Sequence, residues 1–165
     1  MNSSRRHQSL IPLSREHHYG LMLCLRIHRG LPVNGNDEAW VRAKAAQAAE
    51  FFATELTAHF YAEENALFPA MFEFPGASEL IRELTAEHRK LRQIATRLGG
   101  SKVAGLKVAL GQFADLLESH IRKEERELFP IYEKEVSRDV DKLVERAVLD
   151  VIGNASQPRD PRLLQ

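Results

Sequence analysis

Cys24 is the only cysteine among 165 residues, so no disulfide can form within the chain. That scarcity suits a reducing compartment, and a cytoplasmic protein is expected. Neither charge is in excess, because 23 Lys and Arg balance 23 Asp and Glu. A nucleic-acid-binding face needs surplus cations to gather phosphates, so nucleic acid is not an expected partner. No apolar run approaches the roughly 18 residues that a bilayer span requires. The first residues, Met1 to Gln8, lack the apolar stretch of a signal peptide. No membrane partner is therefore expected. Nucleotide-binding glycine loops and nucleophile triads are also missing, which removes the commonest enzyme signatures.

What is present reads as helix. A chain of this length suits one domain with its own core, and the sparse glycines and prolines cut it into long amphipathic stretches. After a flexible tail over residues 1–12, the first helix is expected from Leu13 to about Arg29, stopped by Gly30-Leu31-Pro32. A second follows an Asn36 or Asp37 cap and runs to about Phe72. Pro75-Gly76 breaks the chain before a third helix over about 78–98. Gly99-Gly100 closes that helix, and a fourth spans about 102–135. A shorter helix over about 137–152 precedes a second flexible tail, 153–165. The expected fold is all-α: an antiparallel up-down four-helix bundle over 13–152 with a short C-terminal helix. The apolar side of that last helix (Val140, Leu143, Val144, Val148, Val151) must cover either the bundle or a second subunit, so a homo-oligomer is one expectation.

Chemistry enters through a repeat. His59-Phe60-Tyr61-Ala62-Glu63-Glu64-Asn65-Ala66-Leu67-Phe68-Pro69 and His120-Ile121-Arg122-Lys123-Glu124-Glu125-Arg126-Glu127-Leu128-Phe129-Pro130 agree at six of eleven positions. Upstream, Leu13-Ser14-Arg15-Glu16-His17 parallels Leu84-Thr85-Ala86-Glu87-His88. The chain thus carries two copies of a helix pair. Residues four apart share a helix face, so His59 with Glu63 and His120 with Glu124 can aim at one point. Four such helices around an axis gather the imidazoles of His17, His59, His88 and His120 and the carboxylates of Glu63 and Glu124. Two carboxylates buried together are costly without cations between them. Two divalent ions remove that cost, and mixed N and O donors suit iron or manganese, with zinc also possible.

A single His-x-x-x-Glu pair would ordinarily be a solvated ion pair on a helix surface; its duplication inside a matching frame points to ligands. Glu64 and Glu125 stand about 100° round the helix from those ligands. Hydrogen bonding to ligands or a solvated face suits them better than ligation, with bridging by one of them as the alternative. His18 is a possible additional or alternative ligand to His17, although the repeat selects His17. Pro69 and Pro130 should bend or end their helices just past the site.

These residues resemble the hemerythrin-like, His-His-Glu cation-binding family over about Leu13 to Glu133. The resemblance implies a left-twisted bundle around two iron ions bridged by carboxylates. His17, His59 and Glu63 would supply one half, and His88, His120 and Glu124 the other. Oxygen-carrying members place a further His where this chain has Arg92, and they use His-x-x-x-x-Asp where this chain has His120-x-x-x-Glu124. Four histidines leave a more open centre, so the resemblance implies binding or sensing of oxygen, nitric oxide or iron rather than oxygen carriage. A non-enzymatic role leads; a di-iron enzyme with peroxidase-like, nitric-oxide-handling or iron-repair activity is the alternative.

Overall fold

The computed structural model describes residues 6–153. All of its regular structure is helical, with no strand among the described residues. Five helices follow in order: α1 (Leu10–Asn34), α2 (residues 38–71), α3 (Ala77–Arg97), α4 (residues 103–135) and α5 (Arg138–Ile152). Asp37 caps α2 by accepting from the amides of Ala39 and Trp40, and Ser137 caps α5 through Val140. Gly76, at φ +80°, makes the left-handed turn between α2 and α3 that a side chain would resist.

The first helix departs from expectation at both ends. It begins at Leu10, which is fully buried, and it runs on through Gly30 and Pro32 to Asn34. Pro32 lies in the last turn, where it costs a single hydrogen bond near an exposed end. Gly30 is a packing residue rather than a stop, since a Cβ there would lie 2.1 Å from the Trp40 ring. Residues 6–9, expected to be loose, are tied down. Arg6 contacts Glu125 and Glu133, while Ser9 bonds to Tyr132 and Asp141. The tail expected over 153–165 lies, beyond Gly153, outside the described residues, as do residues 1–5.

Proximity pairs show each of the first four helices running antiparallel to the next one round the bundle. Gly30 meets Trp40, His28 meets Asp115, Glu64 meets His88, and Arg97 meets Gln112. This is the expected up-down bundle. The last helix, α5, packs over residues 57–67 of α2 and the start of α1, burying Val144, Val148 and Ile152. Leu143 stays exposed.

Pro69 and Pro130 neither end nor break their helices. Each follows a π-helical turn, Glu63–Leu67 and Glu124–Leu128, where the backbone loosens to bonds five residues back. That widening absorbs the amide that proline lacks. A third π turn covers Phe52–Leu56, just before His59. Two apolar clusters fill the bundle, one around Leu23, Phe51 and Phe113, the other around Leu13, Phe129 and Tyr132. Between them lies a buried layer of histidine and glutamate.

Candidate metal centre

That layer holds two groups of converging donors: His17, His59, Glu63 and Glu124, and then Glu63, His88, His120 and Glu124. All six side chains are buried. Both groups contain both glutamates, and the oxygens divide between them. Glu63 turns Oε1 toward His59 Nε2 at 3.0 Å and Oε2 toward His88 Nε2 at 3.3 Å. Glu124 turns Oε2 toward His17 Nε2 at 3.1 Å and Oε1 toward His120 Nε2 at 3.4 Å. These four oxygens are fully buried, and among the described residues none accepts an aligned hydrogen bond. A buried carboxylate without aligned donors is expensive. The imidazoles also meet nitrogen to nitrogen, His17 with His59 at 3.0 Å and His88 with His120 at 3.1 Å. The donor atoms of each group lie within 4.8 Å of one another. That is the arrangement cations would satisfy, and the donor set fits iron.

The other ring nitrogen of every histidine faces a second carboxylate. His17 Nδ1 donates to Glu125 at 2.8 Å, His59 to Glu16 at 2.8 Å, His88 to Glu64 at 2.7 Å and His120 to Glu87 at 2.9 Å. A carboxylate only accepts, so the proton sits on Nδ1 and the Nε2 lone pair is left for the centre. The four bonds run round the bundle: α1 holds the histidine of α2, α2 that of α3, α3 that of α4, and α4 that of α1.

Cations stand behind three of these outer carboxylates. Arg6 reaches Glu125 at 2.5 Å, Arg92 reaches Glu64 at 3.0 Å, and Lys123 reaches Glu87 at 2.5 Å. Burial would raise the Glu125 carboxyl, but His17, Arg6 and Ser14 outweigh it and hold the group down to about 2. For Glu64 the hydrogen bond from His88 is the largest cause of a lowered pKa, with Arg92 adding to it. Inside the layer, burial works against charge on both partners, and proximity wins. Glu63 lies well below the usual carboxylate range because of His59 and His88. His59 is pushed well above the usual imidazole value, chiefly by Glu63, against its burial. His17 and His88 are raised likewise by their neighbouring carboxylates.

The six residues expected at the centre come together there, and Glu64 and Glu125 contact the rings of His88 and His17. His18 does not join; it is exposed, with its ring edge toward Tyr19. His28 pairs with Asp115 and Glu118 on the surface. Tyr61 is exposed. Burial pushes the Cys24 thiol up to about 12, the behaviour of a core residue. Glu16 and Glu87 carry roles the sequence reading did not assign, although both recur beside His17 and His88 in the repeat. Arg6 left no local signal, since its partner lies 119 residues away.

No curated protein and no solved structure matches the chain significantly. A family comparison does match, over residues 12–143, to the hemerythrin HHE cation binding domain. With the duplicated His and Glu geometry inside a helical bundle, that match over most of the chain makes this protein a member of the hemerythrin HHE cation-binding family.

Proposed function

We propose that the chain is a non-haem di-iron protein that binds or senses a small ligand, oxygen or nitric oxide, or iron itself, in the cytoplasm. The observation that carries this reading is the set of four buried carboxylate oxygens, shared between two donor groups and without aligned hydrogen bonds. His17 and His59, with one oxygen from each glutamate, would hold one ion; His88 and His120, with the remaining oxygens, would hold the other. Bound there, the ions supply Lewis acidity and one-electron chemistry. The four outer glutamates fix the imidazole tautomers. Phe60, Phe68 and Phe129 stack on the rings of His88, His88 and His17 and exclude water from that side. Each group offers four protein donors, fewer than an octahedral shell takes, so an exchangeable position remains. That openness favours a sensing or binding role over saturated storage.

Iron loading followed by metal analysis tests the reading. The expected result is two iron ions per chain, with an optical spectrum that differs between anaerobic and aerated samples. Because each carboxylate serves both groups, Glu63→Gln with Glu124→Gln should lose both ions; full iron content in that variant would overturn the ligand assignment. The same exchangeable positions favour, as a second reading, a di-iron enzyme with peroxidase-like, nitric-oxide-handling or iron-repair activity. Turnover of peroxide or nitric oxide by the loaded protein separates the two.

A further inference from the structure

Two closed rings of contacts flank the centre. In one, the Arg6 guanidinium lies over the Phe129 ring at 5.4 Å and bonds to Glu125. Phe129 stacks on His17 at 5.5 Å with the planes 16° apart, and Glu125 accepts from His17. In the other, Arg92 lies over Phe60 at 5.6 Å and bonds to Glu64. Phe60 stacks on His88 at 3.8 Å and 17°, and Glu64 accepts from His88. Each ring therefore runs arginine, glutamate, histidine, phenylalanine and back to arginine.

His17 and His88, and Glu64 and Glu125, are related by the internal repeat. The arginines are not, and neither are the two phenylalanines they cover, although Phe68, the repeat mate of Phe129, also stacks on His88. Arg6 precedes α1, whereas Arg92 lies within α3, one turn beyond His88. The repeat partner of Phe60 is Ile121, and that of Phe129 is Phe68. Duplication alone cannot have delivered the same ring twice from unrelated positions. A common demand on the two histidines can.

We propose that Arg6 and Arg92 are positioning residues for the metal centre, each fixing through one carboxylate the imidazole that the first helix of its repeat contributes. This rests on the di-iron reading above. The demand is physical. Glu64 and Glu125 are one residue past a ligand, so they leave the helix about 100° from the axis-facing direction. Their side chains keep 27% and 25% of their surface exposed; Arg92 anchors Glu64, and Arg6 with the Ser14 hydroxyl anchors Glu125, and without these bonds each could swing to water and release its histidine. A planar guanidinium that both bonds to the carboxylate and lies on the ring beneath it holds carboxylate and imidazole in one register. Lysine keeps the charge but loses the planar face that lies on the ring.

Co(II) uptake, followed by its visible absorption and by competition with a chelator, tests the proposal on the full chain. Arg92→Ala and Arg6→Ala should each weaken Co(II) binding and shift the spectrum, by up to about the 10-fold that loss of an outer hydrogen-bond partner costs at the low end. Arg92→Lys and Arg6→Lys should restore only part. Because arginine acts through glutamate, Arg92→Ala on top of Glu64→Gln should add nothing to the loss from Glu64→Gln alone. Thermal unfolding of the metal-free variants separates a folding defect from a binding one; Arg97→Ala, far from the centre and paired with Gln112, is the surface control. Additive losses in the double variant, or Arg92→Ala and Arg6→Ala that bind Co(II) like the parent, would overturn the proposal alone. A parent protein that takes up no Co(II) would overturn the metal reading with it.

Discussion

Loading the centre should expel protons, and the structure sets their number. Two Nε2 to Nε2 contacts, at 3.0 and 3.1 Å, each need one hydrogen between the nitrogens. The Nδ1 hydrogens are already committed to the outer glutamates. Two inner carboxylates carry two negative charges, so one added proton per imidazole pair neutralises the layer. The raised pKa of His17, His59 and His88, each beside carboxylates that outweigh its burial, is in the direction that holds protons there. A cation entering either gap must displace that proton, so filling both should release about two. Each released proton makes the apparent affinity of its ion rise about tenfold per pH unit, or about 1.4 kcal/mol. The rise continues until pH passes the raised folded-state value and then levels off. For the metal-free protein the sign is opposite. The stabilisation from protonated imidazole is full below the unfolded value near 6.5 and is lost as pH rises through the raised folded one. Calorimetric titration with redox-inert Zn(II), in two buffers of different protonation enthalpy, counts the protons directly. Identical heats in both buffers, with affinity flat in pH, would refute the reasoning.

The outer shell makes its own predictions. Glu125, held at about 2 against an ordinary 4.5, contributes stability that is present above about 4.5 and lost as pH falls through 2. Glu125→Gln should therefore unfold earlier in urea at neutral pH, with the gap from the parent closing toward pH 2. Glu16→Ala should weaken metal binding by about 10- to 100-fold by freeing His59, and adding His18→Glu should not rescue it; recovered Zn(II) affinity in the double variant would contradict the geometry. Gly30→Ala drives a methyl into the Trp40 ring, and overpacking of this kind costs about 1–3 kcal/mol. Denaturant titration with tryptophan fluorescence should register both the loss and a changed Trp40 environment.

Much of this is legible in the sequence. Helical spacing and the internal repeat bring His17, His59, Glu63, His88, His120 and Glu124 together, because an i to i+4 pair in a bundle wall has a direction that tertiary packing does not alter. Hidden features were those that depend on which neighbour a side chain meets. Gly30 looks like a stop because its conformational freedom is visible in sequence, whereas the Trp40 ring that demands a missing Cβ is not. Pro69 and Pro130 look like breaks because the π turns that accommodate them have no residue signature of their own. Residues 6–9 look loose because their partners, Glu125, Tyr132 and Asp141, are more than a hundred positions away.

The order of residues within the repeat has a geometric cause. On α1 and α3 the outer glutamate precedes the ligand, as Glu16-His17 and Glu87-His88. On α2 and α4 it follows the ligand, as Glu63-Glu64 and Glu124-Glu125. One step along a right-handed helix turns a side chain by about 100°. Seen from one end of the bundle, a step backward on a helix that rises turns the same way as a step forward on a helix that descends. Since α1 and α3 run against α2 and α4, the alternation of Glu-before with Glu-after cancels the alternation of helix direction. All four outer carboxylates then lean the same way round the axis, and each reaches the next helix's histidine. Had the glutamate preceded the ligand on every helix, the carboxylates would serve the histidines in two reciprocal pairs, α1 with α2 and α3 with α4, and the cycle would not close. The cycle also ties the helices to one another. Rotating any one of them withdraws its inner ligand and, in the same motion, the carboxylate that orients its neighbour's, so the centre and the packing of the bundle are set together.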